Sequence, residues 1–154
     1  MNKIILLFIG IFISRLTIAQ TTVILSASAD NTMYQIPATN SNAIGENFVS
    51  GNNGGSSPRR ALLKFDIAAA IPAGAVITSA VLTLNCNISR SVEDNVDIHK
   101  LTNNWGEGTS KAGTGGGGGD GGGAAATAND ATWNENFFGI STWTIPGGDF
   151  TSDI

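Results

Sequence analysis

Residues 57–88 (SPRRALLKFDIAAAIPAGAVITSAVLTLNCNI) constrain the fold more than any other stretch of the chain. From residue 59 to residue 67, apolar residues mostly occupy one side of an extended chain, and polar residues occupy the other; only Leu62 breaks this alternation. Residues 80–88 repeat the two-residue period, with residues 72–74 (PAG) as a turn between the halves. Two amphipathic strands need a second layer to bury their apolar faces, which predicts an antiparallel β-sandwich.

Further alternating segments predict strands at residues 21–29 and 96–101, and a short one at residues 47–49. Only 13% of the residues are charged and 20 are glycine, a profile typical of short strands joined by exposed turns. The sequence therefore predicts one all-β domain over residues 20–154.

The N-terminus has the pattern of a secretory signal peptide. A basic start is followed by an apolar run over residues 4–13 and by a small residue, Ala19, before the predicted cut. The run is too short for a membrane span of about 20 residues, although a buried helix or an anchor is the alternative. Residues 1–19 thus predict a protein that is secreted, extracellular or at the cell surface, without a membrane span.

Charge and cysteine content limit the partners and the covalent structure. The formal net charge is −4, which argues against binding to nucleic acid or to an anionic membrane. Cys86 is the only cysteine, so an internal disulfide cannot form. Its place on the apolar side of a predicted strand indicates a buried, inert thiol.

Several blocks in order resemble one protein family. Residues 58–66 (PRRALLKFD), 71–75 (IPAGA) and 77–82 (ITSAVL) resemble the signature of bacterial secreted DNRLRE-domain proteins. Residues 105–109 (WGEGT), 130–133 (DATW) and 137–150 continue that resemblance. The group is similar to the jelly-roll carbohydrate-binding modules of polysaccharide lyases. The resemblance implies a jelly-roll-like sandwich whose last strands are missing here, because family members continue beyond the block that ends at Phe150.

The glycine-rich segment at residues 113–128 predicts a flexible surface loop. Its run of glycines matches phosphate-binding patterns trivially, and no Gly-Lys-Ser/Thr follows. It also overlaps a calcium-binding nonapeptide repeat, but in one incomplete copy.

The sequence offers no catalytic constellation, and we expect the chain not to be an enzyme. His99 is the only histidine, and it lies within a predicted strand without a nucleophile motif. Glu93, Asp94 and Asp97 form an acidic cluster that suits a solvated turn better than a glycosidase pair.

A structural Ca²⁺ site is possible at the start of the domain. Asp30 and Asn31 at a predicted strand end, with Glu46 in the next loop, offer the oxygen ligands that Ca²⁺ takes. The alternative is that these residues only make turns.

Sugar recognition needs flat aromatic faces and polar or charged groups beside them. The candidate ligand-binding residues are Tyr34, Trp105, Trp133 and Trp143 as platforms, and Arg59, Arg60 and Lys64 as anion contacts. The alternative is that the aromatic residues pack in the core and that the basic residues pair with Asp66 and its neighbours.

Two functions follow as expectations. The resemblance implies a secreted, non-catalytic carbohydrate-binding module that holds a protein or a cell on a polysaccharide, which the basic residues suggest is acidic. The alternative is a structural spacer or adhesin module of a bacterial surface protein, which has no sugar site and contacts other surface modules.

Overall fold

The computed structural model describes residues 20–89, 95–113 and 119–152. The predicted signal peptide, Glu93 and Asp94 lie outside these ranges. The described residues form seven strands and two single helical turns: β1 (Ala29–Tyr34), β2 (Asn40–Ser41), β3 (Gly51–Asn52), β4 (Pro58–Lys64), α1 (Ile67–Ala70), α2 (Gly119–Gly122), β5 (Ala124–Ala125), β6 (Glu135–Phe137) and β7 (Ser141–Thr142).

The main sheet has five strands in the order β3-β4-β1-β2-β5, and each pairing is antiparallel. Its centre is the pairing of β1 with β4, in continuous register from Ala29 opposite Lys64 to Tyr34 opposite Arg59. The first strand of the 57–88 stretch is therefore present. It is followed by α1, which Asp66 caps by accepting a hydrogen bond from the backbone N–H of residue 69.

The second half of the predicted glycine loop contributes a strand to this sheet. Ala124 and Ala125 in β5 pair with Ser41 and Asn40 in β2. Part of the segment predicted as a loop is therefore a strand, and it forms the edge of the sheet next to β2.

A second, two-stranded sheet consists of β6 and β7, with a register shift between Glu135 and Phe137. Beside it, an antiparallel bridge joins Leu101 to Phe150. The strand predicted at residues 96–101 is reduced to this bridge at its last residue.

The core lies on one side of the main sheet. Its buried apolar cluster comprises Met33, Leu62, Trp105, Ala131, Trp133 and Trp143. Leu62, which breaks the sequence alternation, is buried, whereas Leu63 is only half-buried. The prediction that Leu63 and its side of β4 form the core face is therefore wrong. Met33 lies opposite Arg60, and opposed side chains share a face, so the core side of β4 is that of Arg60 and Leu62.

The strand predicted at residues 80–88 is not formed. Residues 72–89 are all exposed and contain no strand; the predicted turn alone is present, with Ala75 N donating to Pro72 O at 3.1 Å. Cys86 is exposed, contrary to the predicted buried thiol. An alternating pattern makes a stable strand only when a neighbour supplies backbone hydrogen bonds, and no described segment pairs with this one.

The first strands also differ from their predicted positions. The strand expected at residues 21–29 begins at Ala29 and continues to Tyr34, so Asp30 and Asn31 lie within it rather than at its end. The short strand expected at residues 47–49 lies instead at Gly51–Asn52.

The predicted all-β class is confirmed, since the regular structure consists of antiparallel strands and two single helical turns. Across the described ranges, no helix has the length and hydropathy needed to cross a lipid bilayer.

Candidate functional site

The four aromatic residues predicted to stack on sugar rings lie in the interior. Tyr34 has no exposed surface, and Trp105, Trp133 and Trp143 are 7%, 7% and 4% exposed. The indole Nε1 of Trp143 donates to the carbonyl of Thr132 at 2.9 Å, so its polar atom is also used internally. A stacking platform needs an open ring face. The three tryptophans belong to the buried apolar cluster and Tyr34 is buried on the other side of the sheet, so burial favours structural roles over the predicted platforms.

Arg59 is buried and makes its hydrogen bonds within the protein. Its Nε donates to Gly121 O at 2.9 Å and its Nη1 to Ser57 O at 2.6 Å. The guanidinium lies 5.6 Å from the centroid of the Tyr34 ring, on the side of the sheet away from the core. Arg59 therefore fastens the glycine-rich turn α2 to β4, a structural role in place of the predicted anion contact.

Arg60 is held between two aromatic rings. Its Cζ lies 4.9 Å from the ring centroid of Trp133 and 5.0 Å from that of Phe150, and Nη1 donates to Gly147 O at 2.6 Å. Burial lowers the pKa of Arg60, although a guanidinium in a protein stays charged. A Cβ at residue 147 would lie 2.7 Å from Nη1, which explains the glycine there.

Lys64 is the one predicted ligand contact that is exposed. Its Nζ donates to Asn104 Oδ1 at 3.2 Å. Arg60 and Lys64 share one face of β4, as the alternation predicts, but neither forms an ion pair with Asp66 or with another described residue.

Asn31, one of the three predicted calcium ligands, uses its side chain within the protein. Asn31 Oδ1 already accepts hydrogen bonds from Ser41 Oγ at 2.7 Å and Asn42 N at 3.1 Å, while its Nδ2 donates to Glu107 O. Glu46 is exposed in the segment between β2 and β3. Within the described ranges, no group of three or more His, Cys, Asp or Glu side chains is placed to hold a metal ion.

Asp30 has a different acidic neighbour from those predicted. Its backbone N–H donates to Glu107 Oε1 at 3.0 Å. Partial burial raises the pKa of Asp30, and the nearby Glu107 carboxylate adds to the effect.

Asp130 forms a buried polar centre that the sequence analysis missed. Its Oδ2 accepts hydrogen bonds from the backbone N–H of Thr127 at 2.6 Å and from the Thr127 hydroxyl at 3.2 Å, and Oδ1 accepts from Ser110 N at 3.3 Å. Gly108, at φ +70°, packs against this carboxylate, and Gly106 packs against the carbonyl of Asn129. The signal was present in the W-G-E-G-T block, whose two glycines permit this close approach.

Asp149 organises the last loop in a similar way. Its carboxylate accepts hydrogen bonds from Thr144 N and Ile145 N, each at 2.9 Å, and from Asn103 Nδ2 at 2.6 Å. The hydrogen bond from Thr144 N, supported by the others, lowers the pKa of Asp149. Asp130 and Asp149 therefore position loops.

One groove of about 650 Å³ remains open beside β4. Its walls are mostly apolar and come from β4 and from the extended segments around residues 82–84 and 96–101. His99 contributes to it, with Nδ1 3.0 Å from Thr151 O and its ring 4.9 Å from that of Phe150. Lys64, Lys100 and Asp97 also line it.

Comparison with known proteins does not add a relative. A scan against protein-family models, a search of curated proteins and a search of solved structures find no match to this chain. The functional argument therefore depends on the geometry described above.

Proposed function

We propose that this chain is a non-catalytic structural module of a secreted bacterial surface protein, acting as a spacer or adhesin unit through contacts with other protein modules. One observation carries the proposal: the groups that a sugar site would use hold the module together. The four aromatic rings are buried, and Arg59 and Arg60 donate to backbone carbonyls.

The fold and the family belong to the same proposal. The antiparallel five-stranded sheet and the ordered sequence blocks support a jelly-roll-like sandwich of the DNRLRE type. Secretion is supported by the signal-peptide pattern at residues 1–19.

Carbohydrate binding is the second candidate, and one observation favours it. Lys64 and Lys100 are exposed beside the groove, which would suit the carboxylates of an acidic polysaccharide. The aliphatic side chains of Leu82, Leu84 and Ile98 in the walls count against it, because sugar hydroxyls placed against them would lose hydrogen bonds to water. The aromatic side chains of Phe65 and Phe150 in the same walls do not count against it.

Affinity electrophoresis of the full chain distinguishes the two candidates. We expect its mobility in native gels containing polygalacturonate or xylan to match that in plain gels, relative to a reference protein that binds neither polymer. Retardation by polygalacturonate that Lys64→Ala abolishes would replace the spacer function with acidic-polysaccharide binding. Retardation in the xylan gel would contradict the spacer function as well.

A further inference from the structure

Strand β4 is covered unequally on its two edges. β1 pairs along the whole of β4, whereas β3 pairs only with Pro58 and Arg59. The residues that precede β3 do not pair with β4. Val49 N, for example, donates to the hydroxyl of Thr32 in β1 at 2.9 Å. The edge of β4 from residue 60 onward therefore has no strand beside it in the described part of the chain.

The backbone of this uncovered edge has free hydrogen-bonding groups. Pro58 O accepts from Gln35 N and Lys64 O from Ser28 N, so the even-numbered residues of β4 direct their backbone groups towards β1. Backbone directions alternate along an antiparallel strand. The N–H and C=O of Ala61 and Leu63 consequently point to the uncovered edge, where no described residue bonds to them.

The groove follows this edge. All six consecutive residues 60–65 line it, which means that it runs along the strand backbone rather than over one face. Across it lie Leu82, Leu84 and Ile98, each about half exposed. A polar backbone edge beside mostly apolar walls suits an extended peptide, which offers N–H and C=O groups on its edge and alternating side chains on its faces.

The charges around the groove select the kind of peptide. Arg60, Lys64 and Lys100 line the groove against a single carboxylate, that of Asp97, and the three cations form no ion pair with a described residue. The groove is thus a positive region on a chain whose net charge is −4. A partner with carboxylates is complementary to it.

We propose that the groove accepts a β-strand of a partner protein, which pairs with Ala61 and Leu63, places alternate apolar side chains against Leu82 and Leu84, and carries acidic residues towards Lys64 and Lys100. This inference deepens the spacer or adhesin function proposed above, on which it depends, by naming the chemistry of the partner.

Fluorescence anisotropy with a synthetic strand tests it. The probe is a labelled nine-residue peptide in which valine and threonine alternate between an aspartate at each end. We expect saturable binding to the full chain. A matched peptide that is N-methylated at alternate amides should bind about tenfold more weakly or worse, because it cannot complete the hydrogen bonds. Equal binding of the two peptides would contradict strand pairing. This comparison needs no variant of the protein.

Variants locate the binding edge. Leu63→Pro removes an N–H that faces away from β1, so it should abolish peptide binding while leaving the tryptophan emission native. Val76→Pro changes an exposed residue that does not line the groove and lies well before Leu82, so it should leave binding unchanged. The double change Lys64→Glu and Lys100→Glu should weaken binding of the aspartate-ended peptide and strengthen binding of a lysine-ended one. If Leu63→Pro unfolds the chain, the charge reversal and the methylated peptide still decide the question.

Two outcomes would assign the groove to another occupant. Displacement of the peptide by polygalacturonate would make it a polysaccharide site. A concentration-dependent dimer in sedimentation that Leu63→Pro dissociates would make it a contact between two copies of this chain. If a polysaccharide retards the chain in a gel but does not displace the peptide, the spacer function is contradicted and strand pairing in the groove is not.

Discussion

Gly108 lies so close to Asp130 that a Cβ at residue 108 would overlap the Oδ1 atom of that carboxylate. The contact joins two sequence blocks more than twenty residues apart and leaves no room for any side chain at residue 108. Its φ of +70° adds a second reason for glycine.

The variant Gly108→Ala is expected to destabilise the protein by about 2 to 4 kcal/mol, because it adds both a steric overlap and an unfavourable backbone conformation. The matched control is Gly139→Ala, at φ +78° but with no atom near the added Cβ, which should cost about 1 kcal/mol. Urea unfolding followed by tryptophan fluorescence measures both. Equal losses would show that the contact with Asp130 is unimportant.

Asp149 should contribute to the acid sensitivity of the fold. Its pKa is lowered in the folded state by the hydrogen bond from Thr144 N and its companions. Its stabilisation is therefore present above the ordinary carboxylate pKa of about 3.9 and is lost as the pH falls towards the lower folded value. Measured between pH 7 and pH 2, the free energy of unfolding should fall less steeply in Asp149→Asn. Parallel curves would contradict this role.

Asp30 should show the opposite dependence. Its pKa is raised in the folded state, first by burial and then by Glu107, so its ionisation opposes folding at neutral pH. Asp30→Asn should stabilise the protein at pH 7, and the gain should disappear below the ordinary carboxylate pKa of about 3.9. Thermal melts at pH 7 and pH 3 provide the comparison; a gain of the same size at both would point to a cause other than charge.

The position of Arg60 between two rings should be specific to a guanidinium. Arg60→Lys keeps the charge but loses the planar guanidinium that lies near Trp133 and Phe150, and we expect a loss of about 1 to 2 kcal/mol. The control Lys64→Arg, at an exposed residue of the same strand, should change stability by less than about 0.5 kcal/mol. If the two substitutions have equal effects in urea unfolding, the stacking does not stabilise the fold.

Removal of divalent cations should leave the protein unchanged. Asn31 Oδ1, one of the predicted calcium ligands, accepts two hydrogen bonds and has no lone pair left for a cation. We expect the same melting temperature in EDTA and in excess CaCl₂. A higher melting temperature in CaCl₂ that Asp30→Asn abolishes would restore the calcium hypothesis.

Local sequence signals predicted the parts of the fold that depend on short-range chemistry. Alternation over residues 59–67 predicted a strand that is present over residues 58–64, and proline and glycine predicted the turn at residues 72–74. The helical turn that begins at Ile67 was not predicted. The strand at residues 80–88 was wrong because alternation reports what a segment could pair with, not whether a partner is present. The face of β4 that meets the core was also wrong, since the position of Met33 opposite Arg60 decides it.

The sequence predicted which residue types could form a ligand site, but it did not predict that most of these side chains would be buried. Tryptophan and arginine suit both sugar recognition and core packing, and the sequence could not choose between them. The centres at Asp130 and Asp149 depend on backbone N–H groups, which every residue except proline carries, and therefore left only indirect signs in the glycines around them.

The pairing of β2 with β5 has a consequence for the order in which the protein assembles during synthesis. Asn40 pairs with Ala125, and its Nδ2 donates to the carbonyl of Gly122, 82 residues later. β1 and β4 are synthesised long before β5. Until β5 is synthesised, the edge of β2 in the nascent sheet has no strand paired with it. Closing so long a loop is slow compared with local pairing. The first half of the chain thus spends the longest part of translation with an exposed edge, the interval in which a chaperone would matter most.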